Sequence, residues 1–288
     1  MGYQSVFRSD LFAGQTIVVT GGGSGIGRCV AHELAALGAH VVITGRKLEK
    51  LEKTAAEIIE DGGRVSTQAF DIRDEESVKE AVKTILAQQG AIHGLVNNAG
   101  GQFPAPLASI SKKGWEAVVA NNLTGGFLVA REVYNQWMKK NGGAIVNMLA
   151  DMWGGMPNMG HSGAARAGML SFTETAAMEW AASGVRVNAV APGFVASSGM
   201  DQYDPVFQAE IIPKLGGEVA MQRMAEEAEI SSAIVWLLSE GAAYVTGDCI
   251  KIDGGGSLNK KVFALQPHRN AKPYVGFHRA FKPKAVKE

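Results

Sequence analysis

The chain has 288 residues, of which 46% are hydrophobic, and its 28 Lys and Arg residues balance 28 Asp and Glu residues. This length fits one large α/β domain or two small ones, and the balanced charge gives no overall field to hold nucleic acid or an anionic membrane. Cys29 and Cys249 lie far apart on apolar segments, which favours reduced core thiols in a cytoplasmic protein. The polar start predicts that there is no signal peptide, and the lack of a long apolar run predicts that there is no membrane span.

The first motif that carries chemistry is a glycine-rich stretch between a strand and a helix. Residues 15–19 form an apolar, β-branched run typical of a buried parallel strand, and residues 28–38 repeat apolar side chains at helical spacing. A turn without Cβ atoms lets a pyrophosphate approach the free amides and positive dipole of the helix start. A turn that merely needs glycine is the alternative. The predicted cofactor contacts here are Gly21, Gly23, Ser24, Gly25, Ile26 and Gly27.

Strands and helices alternate along the rest of the chain. Further strands are predicted over residues 37–45, 65–72, 92–101, 143–149, 185–193 and 247–254, and helices over 47–61, 78–89, 113–140, 163–182 and 226–239. Because parallel pairing requires crossover helices and no linker interrupts the alternation, we predict one α/β domain over residues 1–257, a doubly wound parallel sheet of the Rossmann type. Residues 194–222 have weak periodicity, which is typical of either a mobile cover over a substrate or a surface insertion.

The residues after the second strand indicate which dinucleotide is bound. An acidic side chain there would accept from the 2′-hydroxyl of NAD, whereas Arg46 and Lys47 favour the 2′-phosphate of NADP. A solvated basic helix start is the alternative. Asp71, at the tip of the third strand, would reach an adenine amino group or cap the following helix. The other predicted cofactor contacts are Ile72, Asn98, Ala99, Gly100, Pro192, Gly193 and Val195.

Residues 258–288 form a basic C-terminal tail. Their composition favours a loosely ordered, solvated segment, and their prolines, Pro267, Pro273 and Pro283, discourage regular structure. Aromatic anchoring on the domain or on a neighbouring subunit, and contact with an anionic substrate such as coenzyme A, remain open. Glu288 is the only acid; the cations and aromatic residues considered are Lys260, Lys261, Arg269, Lys272, Arg279, Lys282, Lys284, Lys287, Phe263, Tyr274, Phe277 and Phe281.

Four motifs follow one another along the chain: Thr20-Gly21-x-x-x-Gly25-Ile26-Gly27, Asn97-Asn98-Ala99-Gly100, Asn122-Leu123-Thr124-Gly125 and Val187-Asn188-Ala189-Val190-Ala191-Pro192-Gly193. In this order, residues 11–257 resemble the short-chain dehydrogenase/reductase family. The resemblance implies a Rossmann-type domain, a nicotinamide cofactor and a homotetramer. The small-residue helix over 163–182 and the long helix before it would pair across a two-fold axis.

The catalytic positions of the family are occupied here by unusual residues. Its members generally carry a Ser after the fifth strand and a Tyr-x-x-x-Lys on the next helix, where the Tyr exchanges a proton with the carbinol oxygen. The run 164–168 aligns these positions with Leu149, Ser162 and Arg166. Leu149 cannot hydrogen-bond and Ser162 is a poor acid, while Arg166 stays protonated but could grip the ribose hydroxyls. Asn122 of the wider constellation is retained, yet the resemblance disfavours carbonyl–alcohol chemistry.

Three further stretches carry a narrower resemblance: Gly101-Gln102-Phe103, Ser111-Lys112-Lys113-Gly114-Trp115 and His161-Ser162-Gly163-Ala164-Ala165-Arg166-Ala167-Gly168. They look like those of one subgroup of the family, the peroxisomal trans-2-enoyl-CoA reductase type and its bacterial relatives. This resemblance implies reduction by NADPH of a carbon–carbon double bond conjugated to a thioester. Hydride would add at the β carbon, and donors must stabilise the enolate charge on the thioester oxygen.

Water or a modest acid can then protonate the α carbon. His161 is one candidate, since its pKa can sit near neutrality, although a histidine at a helix start can simply bond the backbone. Asp151 is another, at the acid position of a related dienoyl-CoA reductase group, and would need a raised pKa. Met152, Trp153 and Met156 would line an apolar acyl slot or pack a loop or subunit contact.

Three functions remain open. The first is an NADP(H)-dependent reductase of an enoyl-CoA. The second is a dehydrogenase of a branched or terpenoid alcohol or aldehyde, because bacterial relatives include proteins assigned to terpenoid breakdown. The third is a non-enzymatic scaffold that binds the cofactor, which the missing catalytic set favours.

Overall fold

Seven strands form one parallel sheet in a computed structural model, which describes residues 2–259 and 264–286. The strand order is β3-β2-β1-β4-β5-β6-β7, so the chain changes direction across the sheet between β1 and β4. This confirms the predicted α/β fold, a doubly wound parallel sheet of the Rossmann type. The strands are β1 (Thr16–Thr20), β2 (His40–Gly45), β3 (Arg64–Ala69), β4 (Gly94–Asn97), β5 (Gly143–Met148), β6 (Val185–Pro192) and β7 (Cys249–Ile252).

Helices cover both faces of the sheet. Helices α1, α2 and α9 pack on one face, and α3, α5 and α7 pack on the other, each over its own apolar core. Two π-helical turns, Ala120–Thr124 and Tyr134–Met138, join α4, α5 and α6 into the long helical region that was predicted. The helices are α1 (Gly25–Ala36), α2 (Leu48–Glu60), α3 (Glu75–Gln89), α4 (Lys112–Val119), α5 (Gly125–Val133), α6 (Lys139–Asn141), α7 (Gly160–Trp180), α8 (Pro205–Glu210) and α9 (Glu227–Leu238).

The glycine pair at the start of α5 is required by close packing. A Cβ at Gly125 would stand 2.7 Å from the side chain of Ile72, and one at Gly126 would stand 2.6 Å from Met169. Glycine weakens a helix, but here it lets α5 approach both the loop after β3 and helix α7. The glycine pair therefore allows α5 to pack closely on these two neighbours.

The cap of α3 is not the one that the sequence suggested. Asp74 accepts a hydrogen bond from the amide of Ser77 at 2.7 Å and caps the helix. Asp71 lies three residues too early to do so, because the helix begins at Glu75. The capping alternative for Asp71 is therefore wrong.

Cys29 is buried in α1 and Cys249 is partly buried at the start of β7, and both are free thiols. This agrees with the expectation of reduced cysteines. Among residues 2–259 and 264–286, no helix combines the length and the apolarity that crossing a bilayer requires.

The described part of the tail packs on the domain through an aromatic anchor. The Phe277 side chain is 2% exposed and lies against Cys29 of α1 and Ala228 of α9. Its ring stacks on that of Tyr3, with 5.7 Å between the ring centroids. The expectation of a solvated tail is therefore wrong for residues 264–286, because this buried ring and a set of polar contacts hold the segment on the domain.

Polar contacts also hold the same segment on the domain. The Arg279 guanidinium donates to Asp61 at 2.9 Å and to Glu60 at 2.8 Å, at the end of α2. The Tyr274 hydroxyl donates to the backbone oxygen of Gln4 at 2.5 Å, so the two ends of the chain lie together. The remaining tail residues considered above, Lys260, Lys261, Phe263, Lys287 and Glu288, lie outside the described residues.

The tail anchor can be tested by truncating its ring. We expect Phe277→Ala to lower the free energy of unfolding by about 3 kcal/mol, because it removes a fully buried aromatic side chain. Phe281→Ala is the matched control, since that ring is 40% exposed, and it should cost under about 1 kcal/mol. Equal losses for both variants in urea denaturation would contradict the anchoring role of Phe277.

Candidate active site

The predicted site residues gather at one edge of the sheet, where the carboxyl ends of β1, β4, β5 and β6 meet. In open parallel sheets, ligands bind outside this edge, at the point where the strand order reverses. Here that point lies between β1 and β4. The glycine-rich turn follows β1, and residues 98–102 follow β4. The two segments therefore flank the predicted cofactor cleft.

Glycine is required in the turn after β1 because a neighbouring loop lies against it. Gly21 has a φ of +68°, and a Cβ there would stand 2.9 Å from Asn98 Nδ2. A Cβ at Gly27 would overlap the same nitrogen, and one at Gly23 would stand 3.1 Å from Lys50. Three glycines of the motif are thus explained by packing, and their bare backbone is also what a pyrophosphate needs for close approach.

The first turn of α1 offers amide donors to a ligand. The earliest hydrogen bond of the helix runs from the Arg28 amide to the Ser24 oxygen at 3.2 Å, so the amides of residues 25–27 precede it. Within the part of the chain that the structure describes, the Ser24 side chain caps none of them. Free amides at the positive end of a helix dipole fit the pyrophosphate of a dinucleotide.

The cations predicted to recognise NADP lie after β2. Arg46 and Lys47 are both exposed, and Arg46 is close enough to lower the pKa of Asp71. Arg73 lowers that pKa more, because its Nε and Nη2 atoms donate to the carboxylate at 2.9 and 2.5 Å. An adenine amino group that binds Asp71 would have to share its carboxylate with Arg73. Ile72 is buried beneath the same loop.

Arg166 brings a buried cation to the cleft. Its side chain is 8% exposed, and its Nη1 atom donates to the backbone oxygen of Met148 at the end of β5. Its Nε atom is buried and has no hydrogen-bond partner within residues 2–259 and 264–286. Burial lowers the pKa of Arg166 to about 10, so the guanidinium is charged at neutral pH. An unused donor of this kind fits a ribose hydroxyl of the cofactor.

Asn122 holds the loop after β4. Its Nδ2 atom donates to the oxygens of Gly101 at 2.6 Å and Val118 at 2.9 Å, and its Oδ1 atom accepts from the Gly101 amide at 3.1 Å. A Cβ at Gly100 would stand 2.5 Å from Asn122 Oδ1 and 3.0 Å from Arg166 Nη2. The structure thus brings Gly100, Asn122 and Arg166 together, with Asn122 positioning the loop.

Ser162 is paired with a residue to which sequence reasoning assigned no role. The Ser162 hydroxyl is buried and donates to Gln102 Oε1 at 2.5 Å. Because the amide oxygen of Gln102 accepts this bond, its Nε2 group remains a donor, and it has no protein partner among the described residues. The signal for Gln102 was its place in the motif after the fourth strand.

His161 is buried beside this pair. Its Nδ1 atom accepts from the Ser162 amide at 2.9 Å, so the neutral ring carries its proton on Nε2. Nε2 has no partner within the described ranges, and the Phe103 ring stands perpendicular to the imidazole with centroids 4.6 Å apart. The backbone bond is the one expected of a structural histidine, and a catalytic role for His161 remains a prediction.

Asp151 lies in a different neighbourhood, against the loop after β7. A Cβ at Gly256 would stand 3.5 Å from its Oδ2 atom. Its Oδ1 atom is buried without a hydrogen-bond partner among the described residues. Burial raises the pKa of Asp151, and the Asp253 carboxylate raises it further, against the Trp153 amide and Lys251. A carboxylic acid needs a raised pKa of this kind in order to donate a proton near neutral pH.

An open cavity lies at residues 152–156, which follow Asp151 in the chain. It has a volume of about 530 Å³ and is lined by Met152, Trp153 and Met156 together with small residues at the start of α7. Lys251 Nζ stands 4.0 Å from the centroid of the Trp153 ring and holds it by a cation–π contact. The three residues therefore line an apolar cavity, and the small α7 side chains leave room in it, while the role of this cavity as an acyl slot stays a prediction.

The segment after β6 closes the cleft from the other side. Pro192 ends the strand, Gly193 follows it, and Val195 forms a one-residue bridge to the chain before α9. Ser198 was missed by sequence reasoning, although it follows the recognised Pro-Gly turn. Its Oγ atom lies 3.9 Å from the position that a Cβ of Gly25 would take, beside the glycine-rich turn.

Comparison with known proteins agrees with this geometry. A sequence profile of the family described as enoyl-(acyl carrier protein) reductase matches residues 20–257. A probable 2,4-dienoyl-CoA reductase ((2E)-enoyl-CoA-producing) of Bacillus subtilis is 36% identical over 253 residues, 86% of this chain and 99% of that protein. A peroxisomal 2,4-dienoyl-CoA reductase ((3E)-enoyl-CoA-producing) of Danio rerio is 33% identical over 287 residues, 94% of this chain and 92% of that protein.

A solved structure is more similar in sequence. It is described as citronellol catabolism dehydrogenase (AtuB) of Pseudomonas aeruginosa, is 64% identical, and superposes with a TM-score of 0.80 over 88% of this chain and 100% of that one. With the fold, the glycine-rich turn and these matches, the chain belongs to the short-chain dehydrogenase/reductase family. It is therefore an oxidoreductase of a family that binds a nicotinamide cofactor.

Proposed function

We propose that this protein is an NADPH-dependent reductase of the carbon–carbon double bond in a trans-2-enoyl thioester such as trans-2-enoyl-CoA. The observation that carries the proposal is the Ser162–Gln102 pair beside the cofactor cleft. In the proposed complex, the free amide group of Gln102 donates to the thioester oxygen on which negative charge develops, and donors aimed at developing charge are a strong aid to such a reaction. The two dienoyl-CoA reductases among the relatives support the thioester class.

The bound NADPH supplies the hydride, and the chain supplies the surroundings. The free amides of α1 hold the pyrophosphate, Arg46 and Lys47 take the 2′-phosphate, and Arg166 donates to the ribose. Ser162 fixes the Gln102 side chain so that its Nε2 group points to the thioester oxygen. Asp151 delivers a proton to the α carbon, directly or through water, which its raised pKa favours.

Alcohol oxidation is less well supported by the site. It needs a base at the carbinol oxygen, and the strand end offers Leu149, which is 2% exposed and has no polar atom in its side chain. The Tyr134 hydroxyl hydrogen-bonds with Ser183 Oγ at 3.0 Å, just before β6 begins and so at the opposite edge of the sheet. Ser162, whose hydroxyl already donates to Gln102, is a poor replacement for a phenol.

A second candidate function is dehydrogenation of a branched terpenoid alcohol or aldehyde. It is favoured by the 64% identity to the protein described as citronellol catabolism dehydrogenase. A branched acyl thioester would be a substrate consistent with both candidates. The apolar cavity beside Trp153, with a volume of about 530 Å³, offers room for such a chain.

We also propose that the enzyme is a cytoplasmic homotetramer. Helices α5 and α7 carry exposed apolar side chains that a subunit contact would cover. Phe127 is 36% exposed and Met178 is 82% exposed. Such surfaces on adjacent helices are typical of a two-fold interface.

The substrate class can be tested with the purified protein. We expect oxidation of NADPH, followed at 340 nm, when straight-chain and branched trans-2-enoyl-CoA esters are added. Absence of turnover across this panel would contradict the proposal. Reduction of NADP+ by terpenoid alcohols at alkaline pH would instead support the second candidate. Tight NADPH binding without turnover of either substrate class would indicate a cofactor-binding scaffold.

The donor role of Gln102 can be tested in the same assay. We expect Gln102→Ala to lower kcat by roughly 100-fold, because it removes one donor to the developing charge, while the Kd for NADPH stays within about twofold. Gln136→Ala is the matched control, because the Gln136 amide donates to the Lys79 oxygen and to Glu132, away from the cleft. A higher KM with an unchanged kcat would contradict the role assigned to Gln102.

Cofactor preference can be tested at the loop after β2. We expect the double variant Arg46→Ala with Lys47→Ala to weaken NADPH binding roughly 10- to 100-fold and to leave NADH binding nearly unchanged, since only NADPH carries the 2′-phosphate. Lys53→Ala, an exposed position on α2, is the control. If the ratio of the dissociation constants for NADPH and NADH is unchanged, the role of Arg46 and Lys47 in recognising the 2′-phosphate is contradicted. The two residues are then simply a solvated, basic helix start.

A further inference from the structure

Glu227, the first residue of α9, is a carboxyl group with no visible partner. Its side chain is 2% exposed, and both carboxylate oxygens are buried without a hydrogen bond to any described residue. A buried ionised carboxylate without a partner is costly, so such a group keeps its proton unless a cation or a donor compensates it. Glu33, another buried acid nearby, shows the contrast, since it accepts from three hydroxyl groups.

Glu227 faces the turn that the proposed function assigns to the cofactor pyrophosphate. Its Oε1 atom lies 3.9 Å from the position that a Cβ of Gly25 would take, at the same distance as Ser198 Oγ. Gly25 is the first residue of α1, whose free amides offer the phosphate site. A buried acid and a dianionic ligand would thus come close together in surroundings of low dielectric constant.

The charged groups around Glu227 do not cancel this repulsion. Arg28 on α1 favours the ionised form, but its guanidinium is already engaged, donating to Glu57 at 2.7 Å and to the Arg279 oxygen at 2.9 Å. Glu226, on the same helix, opposes ionisation, and Lys282 of the tail acts on Glu226. Cys29 on α1 is also near, and burial raises its pKa, so it stays neutral.

These opposing effects bring the pKa of the Glu227 carboxyl group close to neutral pH. Burial raises the pKa of Glu227 to about 7, with Glu226 adding to the rise and Arg28 opposing it. Before a ligand arrives, the protonated and ionised forms are therefore both populated. A ligand that repels one of them shifts the balance to the other.

We propose that Glu227 is protonated in the cofactor complex, so that binding of the dinucleotide pyrophosphate is coupled to the uptake of one proton by this carboxyl group. The inference rests on the cofactor site of the proposed function. The proton comes from solvent and resides on a Glu227 carboxylate oxygen, with no other bond made or broken. By linkage, the cofactor then binds most tightly below neutral pH, and its affinity falls about tenfold per pH unit once Glu227 is ionised in the free protein.

Calorimetric titration of the intact protein with NADP+ between pH 6 and pH 8.5 tests the proposal. Repeating each titration in two buffers of different ionisation enthalpy counts the protons taken up. We expect the wild-type protein to take up more protons near pH 7 than Glu227→Gln, in which a neutral amide stands in for the protonated acid. The variant should keep its affinity across the range. Any titration of the ligand's own 2′-phosphate is common to both proteins and cancels in the difference.

Glu226→Gln is the matched control. It removes a charge from the same turn and keeps a side-chain oxygen for the helix cap, so it should retain the proton uptake. Equal proton counts for wild type and Glu227→Gln, or weaker binding by the variant below pH 7, would overturn the proposal. If the variant does not fold, the wild-type proton count with NADH, which lacks the 2′-phosphate, decides the question. Absence of binding heat with any nucleotide would instead overturn the proposed cofactor site.

Discussion

The hydroxyl of Thr20 joins the two loops on which the site depends. It accepts from the amides of Asn98 at 3.0 Å and Ala99 at 2.9 Å and donates to the Val96 oxygen at 3.3 Å, which uses its full hydrogen-bonding capacity. Asn98 Nδ2 returns a bond to the Thr20 oxygen at 2.9 Å. Because these bonds seat the loop after β4 directly on the turn after β1, glycine is required at position 21, and the cleft has one rigid wall.

The sequence predicted the elements whose signals are local and missed the contacts that join distant elements. The parallel sheet and the glycine-rich turn follow from periodicity and from glycine placement over short stretches. The Ser162–Gln102 bond joins residues 60 positions apart, and no local pattern indicates it. Glu227 stands among acids typical of an exposed helix start, so only the structure shows its burial. The composition of the tail predicted a solvated segment, but the buried Phe277 ring and the polar contacts of the segment hold it on the domain.

Arg166 and Glu227, two of the ionisable groups around the predicted cofactor site, are both buried with unsatisfied polar atoms. Arg166 has an unpartnered Nε and Glu227 has two unpartnered oxygens, within the described residues. Such groups cost stability in an empty protein. Arg166 would gain an acceptor from a ribose hydroxyl, and its positive charge favours an anionic ligand. Glu227 opposes such a ligand unless it takes up a proton, as proposed above.

The base of the cleft is rigid, whereas its substrate wall is made of loops. Asn97 Nδ2 donates to Asn147 Oδ1 at 3.1 Å, and Asn147 Nδ2 donates to Thr173 Oγ1 at 2.9 Å, so a buried polar chain ties β4 and β5 to α7. Arg166 and Ser162 stand on that helix and inherit its position. Residues 152–156 and 194–222 lie outside this network and can vary without disturbing it. Relatives with a shared sheet can therefore act on different substrates. In the proposed reaction, the residues around Asp151 and the cavity at Trp153, not the sheet, would define the substrate.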